Sequence, residues 1–194
     1  MFGRASTDAW SANPSALAKE RILQIRLDRV PVQPYPELPS VLGEFACGAI
    51  DILGSRLTGI YLVGSLATGD FDLDSDIDFM AVIEEDLAQE EVTSLQALHL
   101  RLHGMGCYPA EHLEGSYMSR AVLGCPEKVG VTPTWFLDNG STALELSTHD
   151  NMWHTRWVLR ERGIALAGPE ASSLLEPVPV DAMKTEISGM MRTI

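Results

Sequence analysis

Residues 64–79, reading G-S-L-A-T-G-D-F-D-L-D-S-D-I-D-F, constrain this chain more than any other stretch, because they set a small-residue turn just ahead of two carboxylates at alternate positions. Before the turn, residues 57–63 (L-T-G-I-Y-L-V) are rich in β-branched and aromatic types and run into Gly64, which reads as a strand entering a tight turn. After it, residues 76–83 (D-I-D-F-M-A-V-I) read as a second strand. Side chains alternate along a strand, so Asp76, Asp78, Met80 and Val82 share one face, while Ile77, Phe79, Ala81 and Ile83 take the other. The two carboxylates then stand side by side, about 6.5 Å apart at their α-carbons. Both reach one hard cation or a close pair. Mg²⁺ suits such a set, since it is held by a few carboxylates together with substrate phosphates. Gly64 and Ser65 let backbone and a hydroxyl approach a phosphate closely.

These residues resemble the DNA polymerase β-like nucleotidyltransferase superfamily, whose signature is Gly-Ser, a short variable loop and Asp-x-Asp; here it falls at Gly64-Ser65 and Asp76-Ile77-Asp78. The S-D-I-D-F ending resembles the aminoglycoside nucleotidyltransferases, notably the streptomycin/spectinomycin adenylyltransferase branch. The resemblance implies an α/β (α+β) fold with a mixed central sheet flanked by helices and the start of a C-terminal helical region. It implies ATP as co-substrate, Mg²⁺, and a small cationic acceptor. It also implies a third carboxylate on a later strand. Glu114 in H-L-E-G-S-Y-M is the candidate, sharing a strand face with His112, Ser116 and Met118. The site expected is therefore Asp76, Asp78 and Glu114 as catalytic groups and metal ligands, with Gly64, Ser65 and Ser75 toward the nucleotide.

Other readings of the acidic run compete with this one. Asp70, Asp72, Asp74, Asp76 and Asp78 alternate strictly, as in a solvated loop or a calcium loop. An EF-hand is excluded by the missing glycine and glutamate at its sixth and twelfth positions and by the apolar strand that follows. Asp70, Asp72 and Asp74 read as loop residues. Glu111 rivals Glu114 but falls on the wrong side of the strand.

A formal net charge of -13 argues against wrapping nucleic acid, which needs clustered Lys and Arg, and favours a cationic second substrate. Cys47, Cys107 and Cys125 are odd in number and lack C-x-x-C spacing, so reduced thiols are expected. The start lacks an apolar signal core, and no uninterrupted apolar run is long enough to span a membrane, so a cytoplasmic protein is expected.

Three segments are anticipated: 1–39 as tail, helix and Pro-rich connector; 40–168 as the nucleotidyltransferase domain; 169–194 as the start of a helical domain, apparently truncated. Within the first, 1–14 read as a tail and 15–30 as a helix, before Pro31, Pro34, Pro36 and Pro39 break the chain. Ser40 is expected to cap a helix with the stripe Val41, Leu42, Phe45, Ala49, Ile52 and Leu53. Asp86 is expected to open another, with Gln89 in the capping-box position and Leu87, Leu95, Leu98, Leu102 and Met105 inward. Residues 131–139 read as a strand or edge loop. Residues 148–163 read as a helix capped by Thr148, with His149, Asp150 and His154 as cap and surface groups, Trp153 and Trp157 as core, and Arg156 and Arg160 as ordinary helix-face residues. Met183, Ile187, Met190, Met191 and Ile194 form an apolar stripe on a last helix, which invites a homodimer or a helical partner. A partner-dependent, antitoxin-like module and adenylylation of a protein hydroxyl stay open as alternatives.

Overall fold

The structure, a computed structural model, describes residues 24–191. Among them, six strands form one mixed sheet in the order β5-β4-β3-β2-β1-β6. The strands are β1 (Leu57–Leu62), β2 (Ile77–Ile83), β3 (Leu113–Ser119), β4 (Thr134–Leu137), β5 (Leu144–Ser147) and β6 (Ile164–Ala167). The helices are α1 (Leu38–Leu53), α2 (Gly64–Thr68), α3 (Gln89–His103), α4 (Tyr108–Glu111), α5 (Arg120–Leu123), α6 (Trp153–Arg162) and α7 (Val180–Met190). β2 and β3 run parallel and the other neighbours antiparallel.

Strand alternation divides the core into two layers. Ile77, Phe79, Ala81 and Ile83 face one way and pack with Leu42, Phe45 and Ala49 of α1 and Leu95, Leu98 and Leu102 of α3. Met80 and Val82 face the other way with Tyr61, Met118 and Leu159 of α6. Asp78 continues this second face of β2, and Glu114 lies opposite it in the β2–β3 register. The stretch Leu38–Arg56 is long and apolar enough to cross a membrane by composition alone. Glu44 and Asp51 interrupt it, and Leu38, Val41, Leu42, Phe45, Ala46 and Ala49 are fully buried in the core.

Several element ends differ from expectation. Of the helix read over 15–30, residues 15–23 lie outside the described residues, as does the tail; the remainder holds only a 3₁₀ turn, Leu27–Arg29. There the Arg26 backbone N–H donates to Leu166 O at 2.9 Å and its guanidinium to Gly168 O, which lays the chain along β6 instead of coiling it. α1 starts two residues before Ser40, because Pro39 fits the first helical turn, where no N–H is needed. α3 starts at Gln89, not Asp86: the Asp86 carboxylate accepts from the Leu87 N–H at 3.0 Å, and Glu91 reaches back to the Ala88 N–H at 2.8 Å. Met105 lies beyond the end of α3 and is 41% exposed.

The helix expected over 148–163 forms only from Trp153. Thr148 does not cap it. Residues 148–152 are drawn elsewhere: the Asn151 amide donates to Lys128 O (2.7 Å) and Thr132 O (2.8 Å). The capping role passes to Glu186 of α7, which accepts from the Trp153 and His154 N–H groups at 2.8 and 2.9 Å and meets His154 Nδ1 at 2.8 Å. Trp153 and Trp157 are half-buried and not core, whereas Arg156 is 2% exposed. Its guanidinium donates to Leu123 O, Val122 O and Asn151 Oδ1, so it is an internal strut. On α7, Met183 is half-buried and Ile187 is exposed, as is Met191 just past its end; Ile194 lies outside the described residues.

Candidate active site

β1 ends where the chain must turn hard into α2, and Gly64 takes φ +57° there. A Cβ at this position would overlap the Asp78 carboxyl group, so only glycine lets the turn pass over the β2 aspartate. The turn then binds that aspartate: the Ser65 backbone N–H donates to the Asp78 carboxylate, and the Val63 N–H donates to Asp78 O at 3.0 Å. The Ser65 hydroxyl is buried and has no hydrogen-bond partner.

Asp76 and Asp78 flank Ile77 at the start of β2, and parallel pairing sets Glu114 of β3 beside Asp78. Carboxylate oxygens of all three lie within 4.8 Å of one another. Burial pushes Asp78 up to about 7, reinforced by repulsion from Asp76 and Asp150, while the Ser65 N–H opposes the rise. Burial likewise pushes Glu114 up to about 7, with Asp76, Asp78, Asp150 and Asp138 adding to it. Three converging oxygens that repel one another, beside an unsatisfied hydroxyl, fit a hard divalent cation such as Mg²⁺.

Ser75 is not drawn into this cluster. Its hydroxyl donates to Asp72 Oδ1 at 2.7 Å and accepts the Asp72 N–H at 3.0 Å, closing the acidic loop on itself. Asp70, Asp72 and Asp74 are exposed, and Glu111 ends α4 outside the strand.

Four further residues surround the cluster. Asp150 is half-buried and accepts from the Ser116 hydroxyl at 2.7 Å; burial raises its pKa, against the pull of Ser116, His149 and His154. The His149 ring lies against Phe136, centroids 4.9 Å apart, with Nε2 3.7 Å from Glu114 Oε1. Asn139 Nδ2 points at Asp76 Oδ2 across 3.4 Å, and Asp138 adds charge nearby. Sequence reasoning gave His149 and Asp150 a surface role and passed over Asp138 and Asn139. The available signal was a turn-forming D-N-G directly after the apolar run T-W-F-L.

A family model described as a nucleotidyltransferase domain matches residues 47–106, which include Gly64, Ser65, Asp76 and Asp78. The chain is similar to a spectinomycin 9-adenylyltransferase of Campylobacter jejuni, 24% identical over 159 residues that make up 78% of this chain and 61% of that protein. It is also similar to one of Staphylococcus aureus, 25% identical over 150 residues, 73% of this chain and 57% of that protein. The chain thus spans about three fifths of the length of these curated relatives. Among solved structures, it shares its fold with spectinomycin adenyltransferase AAD(9) from Enterococcus faecialis, determined with ATP and spectinomycin. That match has a TM-score of 0.61 and 14% identity over 76% of this chain and 63% of the other. The fold is that of a nucleotidyltransferase, and the resemblance to polymerase β-like aminoglycoside adenylyltransferases holds in both sequence and structure.

Proposed function

We propose that this chain moves AMP from ATP to a hydroxyl of a small cationic acceptor, an aminoglycoside-type antibiotic such as spectinomycin or streptomycin. The observation that carries this reading is the convergence of Asp76, Asp78 and Glu114 beside the unpartnered Ser65 hydroxyl. In it, residues 40–168 form the catalytic unit.

Asp76, Asp78 and Glu114 would hold Mg²⁺, which when bound neutralises the triphosphate and the departing pyrophosphate. Gly64 clears the space above Asp78, and the Ser65 hydroxyl is free to donate to a phosphate oxygen. Glu114 takes the proton of the acceptor hydroxyl. The acceptor oxygen bonds to the α-phosphorus, the bond from that phosphorus to the bridging oxygen breaks, and pyrophosphate leaves. Glu114 must lie within about 3.2 Å of the acceptor hydroxyl to do this. Asp138, Asp150 and the net charge of -13 support a cationic acceptor.

The test is pyrophosphate release from ATP and Mg²⁺ with a panel including spectinomycin and streptomycin. Release that depends on an antibiotic and vanishes in Asp78→Ala supports the reading. Measurable ATP binding without release for any antibiotic would move the acceptor to another class, a protein hydroxyl included.

A further inference from the structure

We propose that Asn139 is a positioning residue for Asp76, itself oriented by His112 at the end of an aromatic stack, and that it sets the affinity of the acidic site for its divalent cation. This rests on the metal-binding reading of Asp76, Asp78 and Glu114 above.

Sheet pairing brings the parts together. β4 runs antiparallel to β3 with Leu137 opposite Gly115, so Asp138 and Asn139, the two residues after β4, pass beside Glu114 and Leu113 at the start of β3. β2 and β3 are parallel with Ile77 opposite Leu113, so Asp76 and His112 enter the sheet at the same level. Asn139, Asp76 and His112 therefore meet below the Asp78–Glu114 pair, although they lie far apart in sequence.

The hydrogen bonds give Asn139 one orientation. Its Oδ1 lies 2.9 Å from His112 Nδ1, and its Nδ2 faces Asp76 Oδ2 across 3.4 Å. With Nδ1–H donating to Oδ1, the amide nitrogen necessarily points at the carboxylate. Its own backbone N–H is bound by Asp138 Oδ1 at 3.1 Å. An Asp76 oxygen engaged by an amide leaves the other free to turn toward Asp78 and Glu114.

His112 is held in turn. Its ring stacks on Tyr108 at 4.0 Å and 25°, and Tyr108 stacks on Tyr35 at 4.9 Å and 6°. Tyr35 meets the edge of Phe71 at 6.2 Å, and its hydroxyl donates to Leu73 O. The stack thus grips the 69–76 loop at its middle, while Asn139 grips its end at Asp76. Partners of this kind fix the orientation of metal-ligating carboxylates, and losing one typically costs 10–100-fold in metal affinity.

The experiment measures Mn²⁺ binding by electron paramagnetic resonance on the full chain without nucleotide, alongside Tm in the absence of metal. The variants are Asn139→Ala, His112→Ala, the double variant and Asp76→Ala. The expected result is Mn²⁺ binding weakened about 10-fold or more in Asn139→Ala. A smaller loss is expected in His112→Ala, with no further loss when it is added to Asn139→Ala. Half-activation by Mg²⁺ should shift by the same factor, and kcat should recover at saturating Mg²⁺. A purely structural role would lower Tm and leave Mn²⁺ affinity alone. If Asn139→Ala does not fold, Asn139→Ser replaces it, a small polar side chain that falls short of Asp76. Unchanged Mn²⁺ affinity in either folded variant, with Asp76→Ala impaired, overturns the proposal alone. Mn²⁺ binding absent from the unaltered chain overturns the metal reading and this proposal with it.

Discussion

Gly64 and Asp78 occupy one another's space: the backbone of the first passes so close over the carboxyl of the second that a methyl group on Gly64 would overlap it. Gly64→Ala should therefore displace Asp78 and strain a φ of +57° together. Transfer activity should fall by at least about 100-fold, the scale set by misplacing a reacting group by an ångström. Gly69→Ala is the control. It also has positive φ, but nothing lies near its missing Cβ, so it should lose about 1 kcal/mol of stability and keep its activity. Steady-state rates and thermal melts on both variants decide this.

The acidic cluster is held against its own electrostatics. Folding raises Asp78 from the ordinary carboxylate range to about 7, so the unfolded chain releases this proton more readily. The associated stability is present below pH 4 and is lost as pH rises toward 7. In metal-free protein Asp78→Asn should be equal in stability to the unaltered chain near pH 4. It should then gain steadily, becoming more stable by on the order of 2–4 kcal/mol above pH 7. The difference between the two proteins is the quantity to follow. His99, buried and depressed to about 3, shifts both alike by losing stability as pH falls below about 6.5. Mg²⁺ should raise the Tm of the unaltered chain at pH 8 and leave Asp78→Asn unmoved.

What the sequence disclosed follows from how local each feature is. The β1–turn–β2 unit is contiguous, so alternation alone set Asp76 and Asp78 on the face that the structure shows. Glu114 needed one more step, the third carboxylate on a later strand that the resemblance implies; its place beside Asp78 comes from the parallel register of β2 and β3. Asp150 and Asn139 reach the site only through long-range pairing of β4 with β3 and through the Ser116–Asp150 hydrogen bond. No local periodicity encodes such contacts. Thr148 looked like a helix cap for the same reason: the true cap, Glu186, lies 32 residues beyond His154.

Glu186 ties α7 to the start of α6 by two backbone hydrogen bonds and one to His154. Glu186→Ala should cost about 1–2 kcal/mol, the worth of a charged cap at a helix start. That is a drop of about 2–8 °C in Tm for a chain of this size. Because α6 begins just after Asp150, activity should fall further than the melt alone accounts for.

Arg156 satisfies two carbonyls and the Asn151 amide from a buried position. Arg156→Met keeps much of the volume but leaves those acceptors unpaired in the interior. A loss of about 2–4 kcal/mol is expected. Arg156→Lys, which lacks the planar fork, should recover only part of it. Denaturant unfolding of the three proteins gives the comparison.

Transfer of the α-phosphate tests the proposed chemistry most directly. ATP labelled at the α-phosphorus should pass its label to spectinomycin or streptomycin in the presence of Mg²⁺, while label at the γ-phosphorus appears only in pyrophosphate. Neither transfer should occur with Asp76→Ala, Asp78→Ala or Glu114→Gln. α-Label reaching the acceptor at an undiminished rate in Asp78→Ala, or γ-label reaching the acceptor, would contradict metal-dependent adenylyl transfer at this cluster.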